Sequence, residues 1–321
     1  MLATLYLMTK SGSFANALPV IALYAFAGYR LMPALQQIYQ AVTQLSFAAP
    51  ALDALLKEVR SLGLPSPLNA RIKPLPLTKQ IQFRQVTYCY PNAQHPALKS
   101  MDLTIPARST VGLVGATGSG KTTTVDVILG LLEPQEGFLT VDGEPITAKN
   151  RLQWQRTIGY VPQHIYLADD SVVANIAFGE NGEDVDQQAV ERAARIANLH
   201  EFVVNDLPQG YSTAVGERGV RLSGGQRQRI GIARALYHSP RVLVLDEATS
   251  ALDSITEKTV MDRVTKLGQD ITIILIAHRL STVRQCDQIY LLDRGEVKAS
   301  GTYDELTTTS RQFAAMAVEA G

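Results

Sequence analysis

The distribution of apolar and polar positions divides the chain near residue 53. From Met1 to Leu52 the only charged side chains are Lys10 and Arg30, whereas from Asp53 onward charges recur every few residues. Ser11 to Tyr29 is a nineteen-residue uncharged run, about the length needed to cross a hydrocarbon core as a helix. Its Ser11, Asn16 and Pro19 suit a span packed against other helices, because neighbours satisfy the polar groups that lipid cannot. A buried core helix or an uncleaved signal sequence would share this composition. However, no basic segment precedes the run, and no small-residue cleavage site leads into a Cys-paired domain. Leu31 to Val59 then places Leu35, Ile38, Val42, Leu45, Ala49, Leu52 and Leu56 at spacings of three and four, which predicts an amphipathic helix that continues the span into the cytoplasm.

Pro65, Pro67, Pro74 and Pro76, with Gly63 and Asn69 among them, break any helix and predict an extended linker. The expected organisation is thus a partial membrane domain over 1–60, a linker over 61–80 and a second domain over 81–321. In that domain Ile81 to Tyr90 and Ser100 to Ile105 predict strands of an edge sheet, and Thr110 to Val114 predicts a short strand that stops at glycine. Val86, Tyr88 and Tyr90 share one strand face by the period of two, so either tyrosine could be a core residue or a stacking surface for a base. Val125 to Leu132 predicts an apolar helix. Arg241 to Glu247 predicts a buried parallel strand that ends in two carboxylates at its carboxyl end.

Candidate chemistry sits between these elements. Gly115-Ala116-Thr117-Gly118-Ser119-Gly120-Lys121-Thr122 matches G-x-x-x-x-G-K-[ST], after a predicted strand and before a predicted helix. In such a loop the glycines let successive backbone N–H groups converge on phosphates, the helix directs its positive end at them, and Lys121 adds a cation toward the β and γ oxygens. Thr122 is placed to bind Mg²⁺ through its hydroxyl. Asp246 fits a second Mg²⁺-aiding position, and Glu247 can orient or deprotonate an attacking water.

Composition removes several other classes. Thirty basic and thirty acidic side chains give a formal net charge of zero, so no bulk basic field steers the chain to nucleic acid. Cys89 and Cys286 stand far apart, with no disulfide framework and no zinc spacing, which fits a reducing, cytoplasmic compartment. Charged residues make up 19% of the chain, below the usual quarter or so, and about half of that deficit lies in the first fifty positions.

Leu222-Ser223-Gly224-Gly225-Gln226, followed by a predicted helix over Arg227 to Leu236 and then the RVLVLDE strand, resembles the signature of the ABC ATPases. Gln163 in YVPQ is similar to their Q-loop, Ser250-Ala251-Leu252-Asp253 to the D-loop and His278 in IAHR to the switch histidine, all in family order. Gly216-Glu217-Arg218-Gly219 is similar to the X-loop of exporters, and Asp169 to Gly179 resembles the exporter stretch after the Q-loop.

The resemblance implies a P-loop ABC ATPase domain of the α/β class, with a RecA-like core sheet, an antiparallel edge sheet and a helical signature subdomain, preceded by one long helix. It implies ATP and Mg²⁺ as ligands. The nucleotide-binding set would be Tyr90, Gly115, Thr117, Gly118, Ser119, Gly120, Lys121, Thr122, Thr123, Gln163, Ser223, Gly224, Gly225 and Gln226. Thr122, Gln163 and Asp246 would hold the metal, and Glu247 and His278 would be catalytic. Two ATPase domains would meet head to tail, as a homodimer or heterodimer, with ATP between the P-loop of one and Ser223, Gly224 and Gln226 of the other.

Exporter half-transporters carry six membrane helices before this domain, and the chain has room for one, resembling the last. Truncation is the preferred expectation over a second polypeptide that carries the other five. Arg30 to Asp53 resembles the last-helix region of lipid-linked glycan flippases, which implies an inner or plasma membrane location with the ATPase domain in the cytoplasm. An ABC ATPase that does regulatory or mechanical work without transport, or a remnant that binds ATP but moves nothing, would carry the same motifs.

Overall fold

The structure, a computed structural model, describes residues 14–61, 72–248, 251–267, 270–277 and 280–319. The chain divides into two units at Arg71 and Ile72.

The first unit contains one helix, α1 (Phe14–Ser61), of 48 residues, about 72 Å long at ~1.5 Å per residue. It runs unbroken through the two helical segments expected from the sequence. Pro19, Pro33 and Pro50 lie inside it, each without an N–H to donate. In its second half, Gln36, Gln37, Gln40 and Gln44 fall on one side and Leu35, Ile38, Val42 and Leu45 on the other. Leu18–Arg60 holds an 18-residue window of mean hydropathy 1.4, none of it buried. The helix is thus long and apolar enough to span a membrane.

The second unit opens earlier than the boundary expected at 81, and its first residues belong to the fold rather than to a linker. Leu75 and Leu77 are buried, with Leu75 N donating to Gln153 O at 3.0 Å and Thr157 Oγ1 to Leu75 O at 2.8 Å. The prolines that break a helix here also favour extended backbone, in which alternate residues share a face, so Pro74-Leu75-Pro76-Leu77 delivers both leucines to the core.

Its elements begin with β1 (Gln80–Tyr88), β2 (Leu98–Pro106), β3 (Thr110–Val114), α2 (Lys121–Ile128), β4 (Glu136–Val141) and β5 (Glu144–Pro145). There follow α3 (Arg151–Gln155), β6 (Ile158–Val161), α4 (Val172–Ile176), α5 (Gln187–Ile196), α6 (His200–Asp206) and α7 (Gly224–Tyr237). The rest is β7 (Val242–Asp246), α8 (Ser254–Leu267), β8 (Thr272–Ile276), α9 (Leu280–Val283), β9 (Gln288–Asp293), β10 (Glu296–Gly301), α10 (Tyr303–Thr309) and α11 (Arg311–Glu319).

The strands form two sheets. One has the order β2-β1-β4-β5 and is antiparallel; the other has the order β10-β9-β3-β8-β7-β6 and is parallel except at its β9–β10 edge. The continuous apolar strands of the large sheet serve two cores at once, because successive side chains point to opposite faces. Val242 and Val244 of β7 and Ile274 and Ile276 of β8 pack with Phe83, Leu98 and Trp154 in a core shared with the antiparallel sheet. Leu243, Leu245, Ile273 and Leu275 face the other way, into a core closed by α5, α7 and α8.

A buried polar node ties α4 and the segment 166–171 to α7. Asn175 is fully buried, and its Oδ1 accepts from Ala168 N at 2.9 Å and from Arg234 Nη2 at 3.1 Å. Its Nδ2 donates to Ala168 O and Ser171 O, both at 3.0 Å. Arg234 also donates to Asn175 O at 2.8 Å and Tyr166 O at 2.9 Å. Asn175→Ala strands several of these groups at once, so an expected loss of roughly 2–4 kcal/mol follows. Urea unfolding followed by a core probe checks it, and a loss below about 1 kcal/mol would show that the node relaxes or admits water.

Candidate nucleotide site

The parallel topology assembles the site. β3, β8, β7 and β6 lie side by side, so the segments leaving their carboxyl ends emerge along one edge, where open α/β sheets bind ligands. The loop 115–122 follows β3, Gln163 follows β6 and Asp246 ends β7, with Glu247 next. Together with Tyr90, Ala97, Thr123 and Ile276 these segments line an open cleft of about 550 Å³.

Gly115 has a φ of 153°, and a Cβ there would stand 2.2 Å from Leu292 O and 2.7 Å from Ser119 Oγ, so only glycine lets the loop turn off the strand. Gly120 caps α2 with no side-chain bond to the first-turn amides, which leaves those N–H groups for an anion. Lys121 is 6% exposed, and its Nζ donates to Gly115 O at 2.7 Å and Ala116 O at 3.1 Å. Burial pushes the Lys121 ammonium below the usual lysine range, while Glu247 and Asp246 pull it back up. Ser119 Oγ is buried and has no hydrogen-bond partner, an unspent polar atom in the wall of the loop. Thr117, Gly118, Gly120, Lys121, Thr122 and Thr123 all face the cleft.

The acidic side of the cleft is already organised. Gln163 Nε2 donates to Glu247 Oε2 at 3.0 Å, and Glu247 N donates to Ile276 O at 3.1 Å. Glu247 has a φ of 48°, a strained value for a non-glycine residue of the kind that gathers at functional sites. Tyr160 was not anticipated from the sequence. Its hydroxyl donates to Asp246 Oδ2 at 3.4 Å, and burial beside Asp246 and Asp126 pushes it up to about 12, so it stays protonated as a donor. The signal was its place three positions before Gln163, on the strand beside β7.

The two tyrosines left open by the strand period separate cleanly. β1 ends at Tyr88, so Tyr90 lies past the strand and outside its alternation. Tyr88 is buried, whereas Tyr90 is 40% exposed and lines the cleft, with its hydroxyl 3.2 Å from Thr123 Oγ1. The rings meet edge to face at 5.0 Å, so Tyr88 braces Tyr90.

Ser223, Gly224, Gly225 and Gln226 do not line this cleft. Ser223 caps α7: its Oγ accepts from Gln226 N at 3.2 Å, and Gln226 Oε1 accepts from Ser223 N at 2.7 Å. The motif is therefore a capping box that presents the start of a fourteen-residue helix. His278 lies outside the described residues, as does Ser250. Among the described residues no cluster of three or more His, Cys, Asp or Glu side chains could hold a metal by itself.

A family model described as ABC transporter matches residues 98–250. Over 297 residues the chain is 37% identical to the heterocyst differentiation ATP-binding protein HepA of Nostoc sp., covering 92% of this chain and 48% of that protein. It is 42% identical over 235 residues to an ATP-dependent lipid A-core flippase of Cupriavidus pinatubonensis, covering 73% of this chain and 40% of that protein. A solved structure of a bacterial Atm1-family ABC exporter with ATP bound aligns with a TM-score of 0.77 and 31% identity, over 93% of this chain and 51% of that chain. The chain spans about half, or less, of the length of these relatives. Motifs in family order, strand ends that bring them to one cleft, and these likenesses agree: the chain carries an ATP-binding domain of the ABC transporter family.

Proposed function

We propose that the chain is the ATP-hydrolysing part of an ABC exporter, in which two ATPase domains close head to tail on ATP and drive membrane helices. The observation that carries this is the division of labour within one chain: the cleft holds the phosphate loop, Asp246 and Glu247, while Ser223–Gln226 opens a helix elsewhere. A second chain's α7 would supply the missing wall, its N-terminal amides and positive helix end facing the γ-phosphate.

In this proposal the phosphates take the place of the carbonyls that Lys121 now contacts, and Ser119 Oγ lies within the loop that wraps them. Thr122, Gln163 and Asp246 form a hydroxyl, amide and carboxylate set that suits a Mg²⁺ shared with phosphate oxygens, and Tyr160 holds Asp246 for that purpose. Bound Mg²⁺ supplies neutralisation of the β and γ charge. Glu247 orients the attacking water and accepts its proton, and Gln163 sets the carboxylate's direction through Nε2. His278 would steady the γ-phosphate region. Once that phosphate is cleaved, the group that bridges the two chains is gone and they part.

Transport is supported by α1, with its membrane-spanning length, and by relatives named as exporters and flippases. A lipid or lipid-linked glycan is the cargo class those flippase names favour. The dimer lies in a bilayer with the ATPase domains in the cytoplasm, and nucleic acid is no partner.

The test is the Mg²⁺-ATPase rate of the full chain in nanodiscs against protein concentration, with sizing in ATP. A rate that rises more steeply than linearly, with an ATP-dependent dimer, is expected. A linear rate from a monomer would overturn the head-to-tail assignment. Carbonate extraction addresses the membrane step separately: α1 is expected to keep the chain in the pellet, and release into the supernatant would favour an ATPase without transport.

Base recognition gives a further expected outcome. Tyr90→Ala is expected to weaken ATP binding by about 5- to 100-fold, the range for losing one base–aromatic stack. Affinity for inorganic tripolyphosphate should stay unchanged, because that ligand has no base. Titration calorimetry with both ligands checks it, and equal weakening of the two would mean that Tyr90 shapes the phosphate loop instead.

A further inference from the structure

We propose that Gln228 is a positioning residue for hydrolysis: it ties the turn 251–253 to the opening of α7, so that Ser223–Gln226 and the strand end bearing Glu247 move as one body. This rests on the proposed function, in which Ser223–Gln226 engages a second chain's nucleotide.

The Gln228 side chain is 5% exposed, and its Oε1 accepts the Ala251 amide at 3.0 Å. The turn also packs directly on the signature segment. A Cβ on Gly225 would stand 3.1 Å from Leu252 Cδ2 and 3.3 Å from Ala251 O, and one on Gly224 would stand 3.2 Å from Ala251 Cβ. The glycines thus let the turn lie close against the helix opening, and Gln228, one helical turn further on, fastens it there by a hydrogen bond.

At its other end the turn is anchored by Asp253, whose Oδ1 accepts from Ile255 N at 3.2 Å and Thr256 N at 3.0 Å, capping α8. Ala251 follows Glu247 by four residues, a tether that spans at most about 14 Å. A displacement of the α7 opening, as when it closes on a partner's nucleotide, is in this proposal passed through the Gln228–Ala251 bond to a turn four residues from this chain's own Glu247. Each cleft would then become competent when its chain's α7 has engaged the other cleft, so that the two fire together.

An amide that merely fills a core would predict lost stability without this link, and two variants separate the cases. Gln228→Leu removes the acceptor at similar volume; Gln228→Glu keeps an acceptor oxygen. Both are measured as full chain in nanodiscs for ATP affinity, kcat at saturating ATP and protein, thermal midpoint and amide exchange at Ala251. For Gln228→Leu, ATP affinity is expected within about two-fold of wild type and kcat at least about ten-fold lower, with faster Ala251 exchange. Gln228→Glu should recover most of kcat and slow that exchange again.

An unchanged kcat in Gln228→Leu, or a loss that follows the thermal midpoint and is not recovered in Gln228→Glu, overturns the positioning role. If wild type forms no ATP-dependent dimer, the proposed function fails and this inference falls with it. If wild type dimerises while Gln228→Leu turns over normally, this inference fails alone.

Discussion

Glu247→Gln is expected to lower ATP hydrolysis by about 10²- to 10⁴-fold, the range for losing a general base, while ATP affinity changes little. The substitution keeps the size of the side chain and one oxygen to accept from Gln163 Nε2, so the cleft retains its form. What disappears is the carboxylate proposed to take a proton from water. Because ATP then persists, the proposed head-to-tail pair should accumulate, and sizing in ATP should show a larger dimer fraction for the variant than for wild type. Single-turnover phosphate release with a parallel binding titration checks it. Release within about ten-fold of wild type would assign the proton transfer to another group.

Lys121→Met is expected to weaken ATP binding by roughly 10²-fold or more, because a charge-assisted contact to phosphate is worth about 1.5–3 kcal/mol and this ammonium can make more than one. The fold should tolerate the change. Lys121 is buried against Gly115 O and Ala116 O, and desolvation opposes its charged form, so an unbranched apolar side chain of similar length relieves one cost as it removes two hydrogen bonds. A large loss of affinity beside a thermal midpoint within a few degrees of wild type is the expected pair of results. Unaltered affinity would remove the loop from the phosphate site; a collapsed midpoint would make Lys121 a structural residue.

Much of the ATPase domain could be read without coordinates because its signals are local. Thr110–Val114 is a strand with the same bounds in sequence and structure, since a β-rich apolar run ending at glycine has one economical outcome. The RVLVLDE run forms β7 over Val242–Asp246, one residue shorter at each end than expected, with Asp246 closing the strand and Glu247 next. The linker was harder. Prolines rightly excluded helix at Pro74 and Pro76, yet whether an extended segment floats or packs depends on what lies opposite, and here Gln153 and Thr157 lie opposite. The resemblance pointed to Tyr90 over Tyr88, and the structure supplies the reason: β1 stops at Tyr88, so the period of two no longer relates the two rings.

Residue types at fixed spacing, by themselves, determined the phosphate-loop pattern, its strand-then-helix setting and the apolar first helix, because each depends on neighbours within a few positions; ATP as the ligand came from the resemblance that the motifs carry together. Tertiary structure alone decided what depends on juxtaposition. It brought Gln163 to Glu247 and Tyr160 to Asp246 across 84 and 86 positions of sequence, and seated Ala251 on Gln228. The physical reason is the parallel strand order: it places distant strand ends side by side at hydrogen-bonding distance, and no local pattern encodes which strands become neighbours.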